Sequence, residues 1–431
     1  MGGKASLYMV LGFSLIFTIV GYNFSSLTRR AVKNEVNYYY ETVAHDITVS
    51  GANLAANKIF FDQTWDDGYN DLAFNGGTID VEVVNLGANK IKVTTVGEFK
   101  GAADTIIIWL QPSSFSKFAY YMNIFPGSLF FYTGDTISGP FHTQQKLSVK
   151  GRPVFWGKAS AKNGLQLVKN TPATDPEFNG GFESGVDIPL EWDASIAKAA
   201  AYDNGKVFAN SSGGKIEVKL VFNADATITF KTSTNGGTTW TADSTRDLAT
   251  FAPNGVIFID KGNVTMEGTV NGRYTVVCDQ SSGTGTGNVY LTNDIVYHDP
   301  LVWNPSNHRF EVNGNDMLGI VCSNNIIIKN TAANQSNINI HAALFSYKGG
   351  LSIENPNSFP AAGSLRIVGG ICEYQSQTTG ILSGSTIIHG YSEKIYFDER
   401  FKDDSPPYYP TTGKLEIVAW YESTWIPNSF E

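Results

Sequence analysis

The first 60 residues carry the longest uninterrupted pattern in the chain. From Ala5 to Thr28 there is no charged residue, and the apolar run ASLYMVLGFSLIFTIVGY is about 18 to 20 residues long, enough to cross a bilayer as a helix. Leu7, Val10, Leu11, Phe13, Leu15, Ile16, Phe17, Ile19 and Val20 make up its apolar surface. The run continues without a proline into a more polar stretch whose apolar positions recur at helical spacing: Val32, Val36, Tyr40, Val43, Ile47 and, after Gly51, Leu54. This pattern predicts one helix from Ala5 to Phe61, about 85 Å long at about 1.5 Å per residue, which makes residues 1–61 the first segment of the chain.

After it the period changes. Residues 62–77 are rich in Gly, Asn and Asp and read as a loop. Strands follow at 78–86, 90–99 and 104–112, the first two alternating so that Ile79, Val81, Val83, Ile91 and Val93 share one face across a Gly87-Ala88-Asn89 turn. Residues 62–112 thus read as a small antiparallel meander. From residue 113 the texture is of short Ile- and Val-rich strands punctuated by Asn or Gly, as in GVIFID (255–260), RYTVVC (273–278), NIIIKN (325–330) and SLRIVGGICE (364–373). A sandwich would place regular hairpin turns between strand pairs, and only Asn271-Gly272 sits tightly between two of these strands. A stacked solenoid is the better account.

Within it, residues 171–253 break the texture and read as an inserted β-rich excursion. They carry a short helix near 193–202, an antiparallel pair at 215–223 and 226–234, and an Asn235-Gly236-Gly237 tip beside Trp240. The proline-rich PPYYP (406–410) cannot occupy a central strand. It is expected to end the solenoid, with LEIVAWY (415–421) capping it, so that 398–431 forms a C-terminal cap.

Composition narrows the classes. Charged residues are only 16% of the chain while glycine numbers 43, so the surface depends on Asn, Thr, Ser and Gln, as in extracellular β-rich proteins. The net charge of -9 with scattered Lys and Arg argues against nucleic acid as a partner. Three cysteines make no disulfide framework. Cys278 and Cys322 each end an apolar strand and are placed in one column of the solenoid, as buried free thiols in preference to a disulfide.

Catalytic patterns are sparse. Asp260, Glu267, Arg273, Asp279 and Asp294 fall on neighbouring strands, where a polysaccharide-cleaving β-helix would carry its carboxylates. Each borders a turn, the ordinary place for a solvated charge. The six histidines, at 45, 142, 298, 308, 341 and 389, form no metal-binding spacing, and His142 is read as satisfying a turn or a first-coil contact. GTGTGN (283–288) precedes a strand and not a helix, so it lacks the means to hold phosphate. No enzyme, cofactor or metal site is expected.

Gly3, then Lys4 and a spanning helix that grows into an amphipathic stalk, resembles the N-terminus of the type IV pilin superfamily. The resemblance implies cleavage after a glycine and release of the helix from the membrane into a filament. Counted from Gly3, the fifth residue is Tyr8, where major pilins carry Glu, and the match is nearer to the PilX-type helices of minor pilins. Lys4 before the span and Arg29, Arg30 and Lys33 after it reverse the positive-inside pattern. GPFHTQQKLSVKGRPVFWGKAS (139–160), GTVNGRYTVVC (268–278), DMLGIVCSNNIIIKN (316–330) and the tail from 390 to 422 resemble a bacterial surface family that joins such a helix to a right-handed parallel β-helix.

The expected fold is therefore mainly β, with a long N-terminal helix, a small antiparallel meander and a right-handed β-helix over 113–431. The expected function is that of a structural subunit of an extracellular pilus-like filament. Its partners would be copies of itself through the N-terminal helix, other pilins and the assembly machinery, with the inner membrane holding it before assembly. A membrane-anchored adhesin or glycan-binding protein is the alternative, and a polysaccharide-active enzyme a distant one.

Overall fold

The computed structural model describes residues 2–86, 90–127, 129–168, 175–280, 285–305, 309–383 and 386–423. The Gly87-Ala88-Asn89 turn lies outside them, as do His308 and the start of GTGTGN. Two compact units emerge, residues 1–112 with 414–431, and residues 113–413.

The first unit is built on one helix, α1 (Gly2–Phe61). No proline interrupts it, and its polar side chains bond back onto its own carbonyls: Thr18 to Ser14, Thr28 to Phe24, Thr42 to Tyr38 and Thr48 to Ala44, each at 2.8–2.9 Å. The Thr18 and Thr28 hydroxyls of the first half are thereby satisfied without water. Asp62 ends the helix, its carboxylate accepting from the Thr64 amide and hydroxyl.

Against the second half of α1 lies an antiparallel meander of β1 (Tyr69–Phe74), β2 (Gly77–Asn85), β3 (Ile91–Phe99) and β4 (Ala102–Ser114). The alternation is as the sequence predicts, with Ile79, Val81, Ile91 and Val93 buried and Val83 partly so. β1 falls in the stretch expected to be a loop. Most of its side chains are exposed, so it shows no apolar alternation, and its hairpin to β2 turns on Asn75-Gly76, both at positive φ. A fifth strand, Thr411–Ser423, pairs beside β4. The expected C-terminal cap over 398–431 is therefore wrong for this segment: LEIVAWY completes the sheet of the first unit. Its side chains are exposed or half-exposed on both faces, so neither face marks it as a solenoid edge.

The second unit is dominated by parallel pairing. One ladder can be followed through register partners: Phe208, Ile259, Cys278, Cys322, Ser346, Glu373, Met122, Thr143, Ala161, Ser184. The chain order along this ladder is not sequential. The polypeptide joins it in the middle at Met122, climbs to one end at Ser184, crosses to the opposite end and then climbs back to the middle at Glu373. The crossing stretch is pinned on the way: Tyr121 Oη donates to Ile188 O at 2.7 Å, Gln144 and Lys162 reach Asp187, and Trp192 packs edge-on to Phe345 and Tyr347. It leads into α2 (Ala194–Asn204), capped by Asp193.

This corrects the reading of 171–253 as an insertion. Glu177–Phe178 and Phe182–Ser184 are rungs of the stack, and Lys206–Phe208 and Ile216–Phe222 begin the second climb, pairing parallel with Val256–Asp260 and Gly262–Val270. Only Thr227–Ser233 and Ser244–Asp247 extend it in antiparallel fashion. PPYYP stands outside the strands and near the chain end of the second unit, as the sequence predicts. It lies along the rungs, where Thr275 Oγ1 donates to Pro407 O and Gly319 leaves room for Tyr409.

Two stacks of like residues explain how closely the rungs approach. Phe131, Phe141, Phe155, Phe178 and Phe182 pack ring on ring at 5.1–5.5 Å, each buried ring contributing about 1.5–3 kcal/mol. Beside them Gly139, Gly157 and Gly180 lie one above another: a Cβ on Gly157 would fall 2.2 Å from the Gly139 carbonyl carbon, and one on Gly180 2.3 Å from that of Gly157. Gly139 and Gly157 of the 139–160 stretch thus serve backbone contact.

Candidate assembly helix

α1 has two halves of opposite character. From Ala44 onward one stripe is buried: Ala44, Ile47, Thr48, Gly51, Ala52, Ala55 and Ile59. Most of these are small, which lets the helix lie directly on the sheet. A Cβ on Gly51 would sit 2.6 Å from Ile79 Cγ2, and a Cβ on Gly97 of β3 would sit 2.4 Å from Thr48 Oγ1 and 2.7 Å from the Thr48 amide nitrogen. A buried polar link reinforces the contact, with Thr48 Oγ1 also donating to Asp104 O at 3.3 Å and His45 Nδ1 lying 2.6 Å from the Asp104 carboxylate.

Of the expected stalk positions, Ile47 is buried, and Tyr40 and Val43 are partly buried against the same core. Val32 and Val36 are 54% and 39% exposed, beyond the reach of the sheet, and Leu54 also faces outward. The apolar stripe marked the helix but not its contact face, which Ala, Gly and Thr supply. Tyr40 is covered by Phe99 at 5.7 Å and by the Lys100 ammonium.

Among the described residues nothing covers the first half. Leu7, Val10, Leu11, Phe13, Leu15, Ile16, Phe17, Ile19 and Val20 are all more than half exposed, Phe17 at 72%, and none of the apolar window is buried. Tyr8, Met9, Tyr22, Phe24 and Leu27 add to that surface. By length and composition this helix is apolar enough to cross a membrane. A helix apolar around its whole circumference needs lipid or other protein.

The candidates for chemistry are engaged elsewhere. Lys198 pairs with Asp260 at 2.8 Å, Thr292 donates to Glu267, Arg273 is tied to Asp404 and Ser405 O, Ser323 donates to Asp279, and Asn339 donates to Asp294 through both its amides. The bonds of Glu267, Asp279 and Asp294 join neighbouring rungs, whereas Asp260 is held from α2 and Arg273 by the segment that follows the last rung. His142 is buried, with Nδ1 2.8 Å from Ser160 Oγ and its ring stacked on Tyr121 at 5.4 Å; burial lowers it to about 4. Cys278 and Cys322 are register partners on adjacent rungs and both are free, buried thiols, Cys322 pushed up to about 12 by burial. One grouping was not visible in the sequence: ligand atoms of His298, Asp299 and Asp316 lie within 4.8 Å of one another. The two Asp316 oxygens already accept from the Gly272 and Asp299 amides.

The crystal structure of the competence-associated pilin ComZ from Thermus thermophilus is similar to this chain at a TM-score of 0.33 and 11% identity, over 89% of this chain and 97% of that one. A score that low lends no weight to a shared function. No family model and no curated protein matches the chain.

Proposed function

We propose that the chain is a structural subunit of an extracellular pilin-like filament. The membrane holds the first half of α1 before assembly, and copies of that half pack together in the filament core. The observation that carries this reading is the division of one continuous helix into a half seated on its own sheet and a half, apolar on all sides, that no described residue covers. A simple anchor needs only the span; here the helix continues unbroken from the span into the packed unit, so the unit is held rigidly on the helix axis.

The parallel stack is then a β-helix displayed outside that core, right-handed because crossovers between parallel neighbours of one sheet are nearly always so. Its carboxylates serve coil-to-coil bonding, and the chain has no catalytic role. Electron microscopy of sheared surface material, with an antibody to the parallel stack, tests the proposal. Filaments labelled along their length are expected. Recovery of the chain solely in membrane fractions, with no labelled filament, would leave the anchored adhesin as the surviving account.

A further inference from the structure

The helix carries charge on two opposite sides just beyond the apolar run. Arg29, Arg30 and Lys33 are exposed, as is Glu35. Arg29 donates to Ser25 Oγ, and among the described residues no ion pair engages Arg30, Lys33 or Glu35. With successive residues about 100° apart around the axis, the three basic residues fall within an arc of about 100°, and Glu35 lies about 190° from its centre. The same count puts the basic arc within about 30° of the direction in which Ala44, Ile47, Thr48 and Gly51 face the sheet. The basic residues therefore occupy the sheet side of α1 where the sheet no longer covers it, and Glu35 occupies the side turned away from the sheet.

Opposite charges on opposite faces of one element are complementary between copies. A head-to-tail contact uses two different faces of each subunit and repeats without closing, which is how a filament grows. We propose that the basic face formed by Arg29, Arg30 and Lys33 of one copy docks on Glu35 of a parallel neighbouring copy, shifted along the helix axis by about 7.5–9 Å, the rise of the five to six residues from Arg30 and Arg29 to Glu35. This rests on the filament reading and adds its register. It also accounts for a charge pattern that topology does not: a basic turn after the span opposes the positive-inside preference, so a basic turn retained there has another use. Glu41 makes the prediction selective. It lies within about 20° of Arg30 around the helix, on the same side as the basic residues, and cannot serve as their partner across such a contact.

The test is charge reversal in the full-length chain in cells that assemble it, with the amount of chain in sheared filaments and in membranes measured for each variant. Arg30→Glu and Glu35→Arg are each expected to lower filament yield at least tenfold with membrane amounts unchanged, and the double variant to return it to within about threefold of the parent. Glu41→Arg is expected to assemble as the parent does. Full assembly of either single reversal overturns the proposal, as does a double variant no better than the singles, the outcome expected if the basic turn instead holds lipid phosphate. Equal loss in Glu41→Arg overturns the face assignment. If the parent chain forms no filament, the filament reading fails first and this one with it; if the parent assembles and the reversals are silent, only the docking face is wrong.

Discussion

Gly97 offers the sharpest test of how α1 is held, because two effects of replacing it have opposite sign. In a strand interior, Gly→Ala removes unfolded-state freedom and adds strand propensity, worth about 0.5–1 kcal/mol of stabilisation. Here the new Cβ would meet Thr48 Oγ1 at 2.4 Å, Thr48 N at 2.7 Å and Ala44 O at 2.9 Å, where ordinary contacts begin at 3.4 Å. Two of the three obstacles are backbone, so no rotamer change relieves them, and the helix must retreat by about 1 Å. A gap of that size forfeits a quarter to a half of each dispersion contact it opens, and overpacking of this kind costs about 1–3 kcal/mol. The net expectation is a loss of about 1.3 kcal/mol, which is roughly a tenfold increase in local opening. Hydrogen exchange of the full-length chain in detergent measures it directly: amides of β3 and of α1 from Ala44 to Ile59 should exchange about tenfold faster. The rungs of the second unit serve as an internal reference. Gly12→Ala, where an added Cβ meets nothing within 4 Å, should leave protection unchanged. Unchanged or increased protection in Gly97→Ala would show that helix and sheet are not in the close contact argued above.

Gly157→Ala places a methyl against the Gly139 backbone at 2.2 Å, so a loss above about 3 kcal/mol is expected; limited proteolysis should cut first within residues 131–184, and native resistance there would refute the glycine stack. Burial depresses both His142 and His341 to about 4 from 6.5. Their contribution is complete above pH 6.5 and is lost as pH falls through 4, because the unfolded chain binds the protons first. Denaturant titrations at pH 7 and pH 4.5 should therefore show a loss that His142→Gln reduces by about 2 kcal/mol, and an unaltered pH slope would remove His142 as a cause. Cys278, Cys322 and Cys372 are buried thiols with raised pKa: a thiol reagent at pH 8 should label none in the folded chain and all three after denaturation, and rapid labelling of any one in the native chain would contradict its burial.

The helix and the meander were legible because each has a single period that burial on one face enforces. The contact face of α1 was not, because hydrophobicity highlights Val32, Val36 and Leu54, whereas close packing selects Ala44, Thr48, Gly51 and Ala55 for their size. The short strands of the stack could be read one by one, and the shared column of Cys278 and Cys322 followed from their matched places in TVVC and GIVC. Their order in space could not. Register in a parallel stack is settled by which rung is free at each end, and nothing local to Ser184 or Lys206 records that the chain crosses from one end to the other. The Asn75-Gly76 hairpin was missed for a simpler reason: its strand buries little, so the turn dipeptide stood without the alternation that gives it meaning. The opposed charges of α1 were present in the sequence throughout, but their meaning depends on which side of the helix faces the sheet.

The non-sequential winding has a physical reason in where the chain enters and leaves the second unit. β4 ends at Ser114 and its neighbouring strand begins at Thr411, and the Phe115 amide donates to Pro410 O at 3.0 Å. The second unit must therefore begin and end within one strand spacing, about 4.8 Å. A solenoid wound simply from one end to the other cannot meet that condition. The ladder from Phe208 to Ser184 passes through nine spacings, which separates its ends by about 43 Å. Starting in the middle, climbing to one end, crossing along the side and climbing back brings Glu373 of the last coil beside Met122 of the first. The crossing stretch from Gly185 to Trp192 is the cost of this arrangement. Its anchors at Tyr121, Gln144, Lys162 and Phe345 offset the ordering of that segment, and the first and last strands of the unit thereby meet in the middle of the stack.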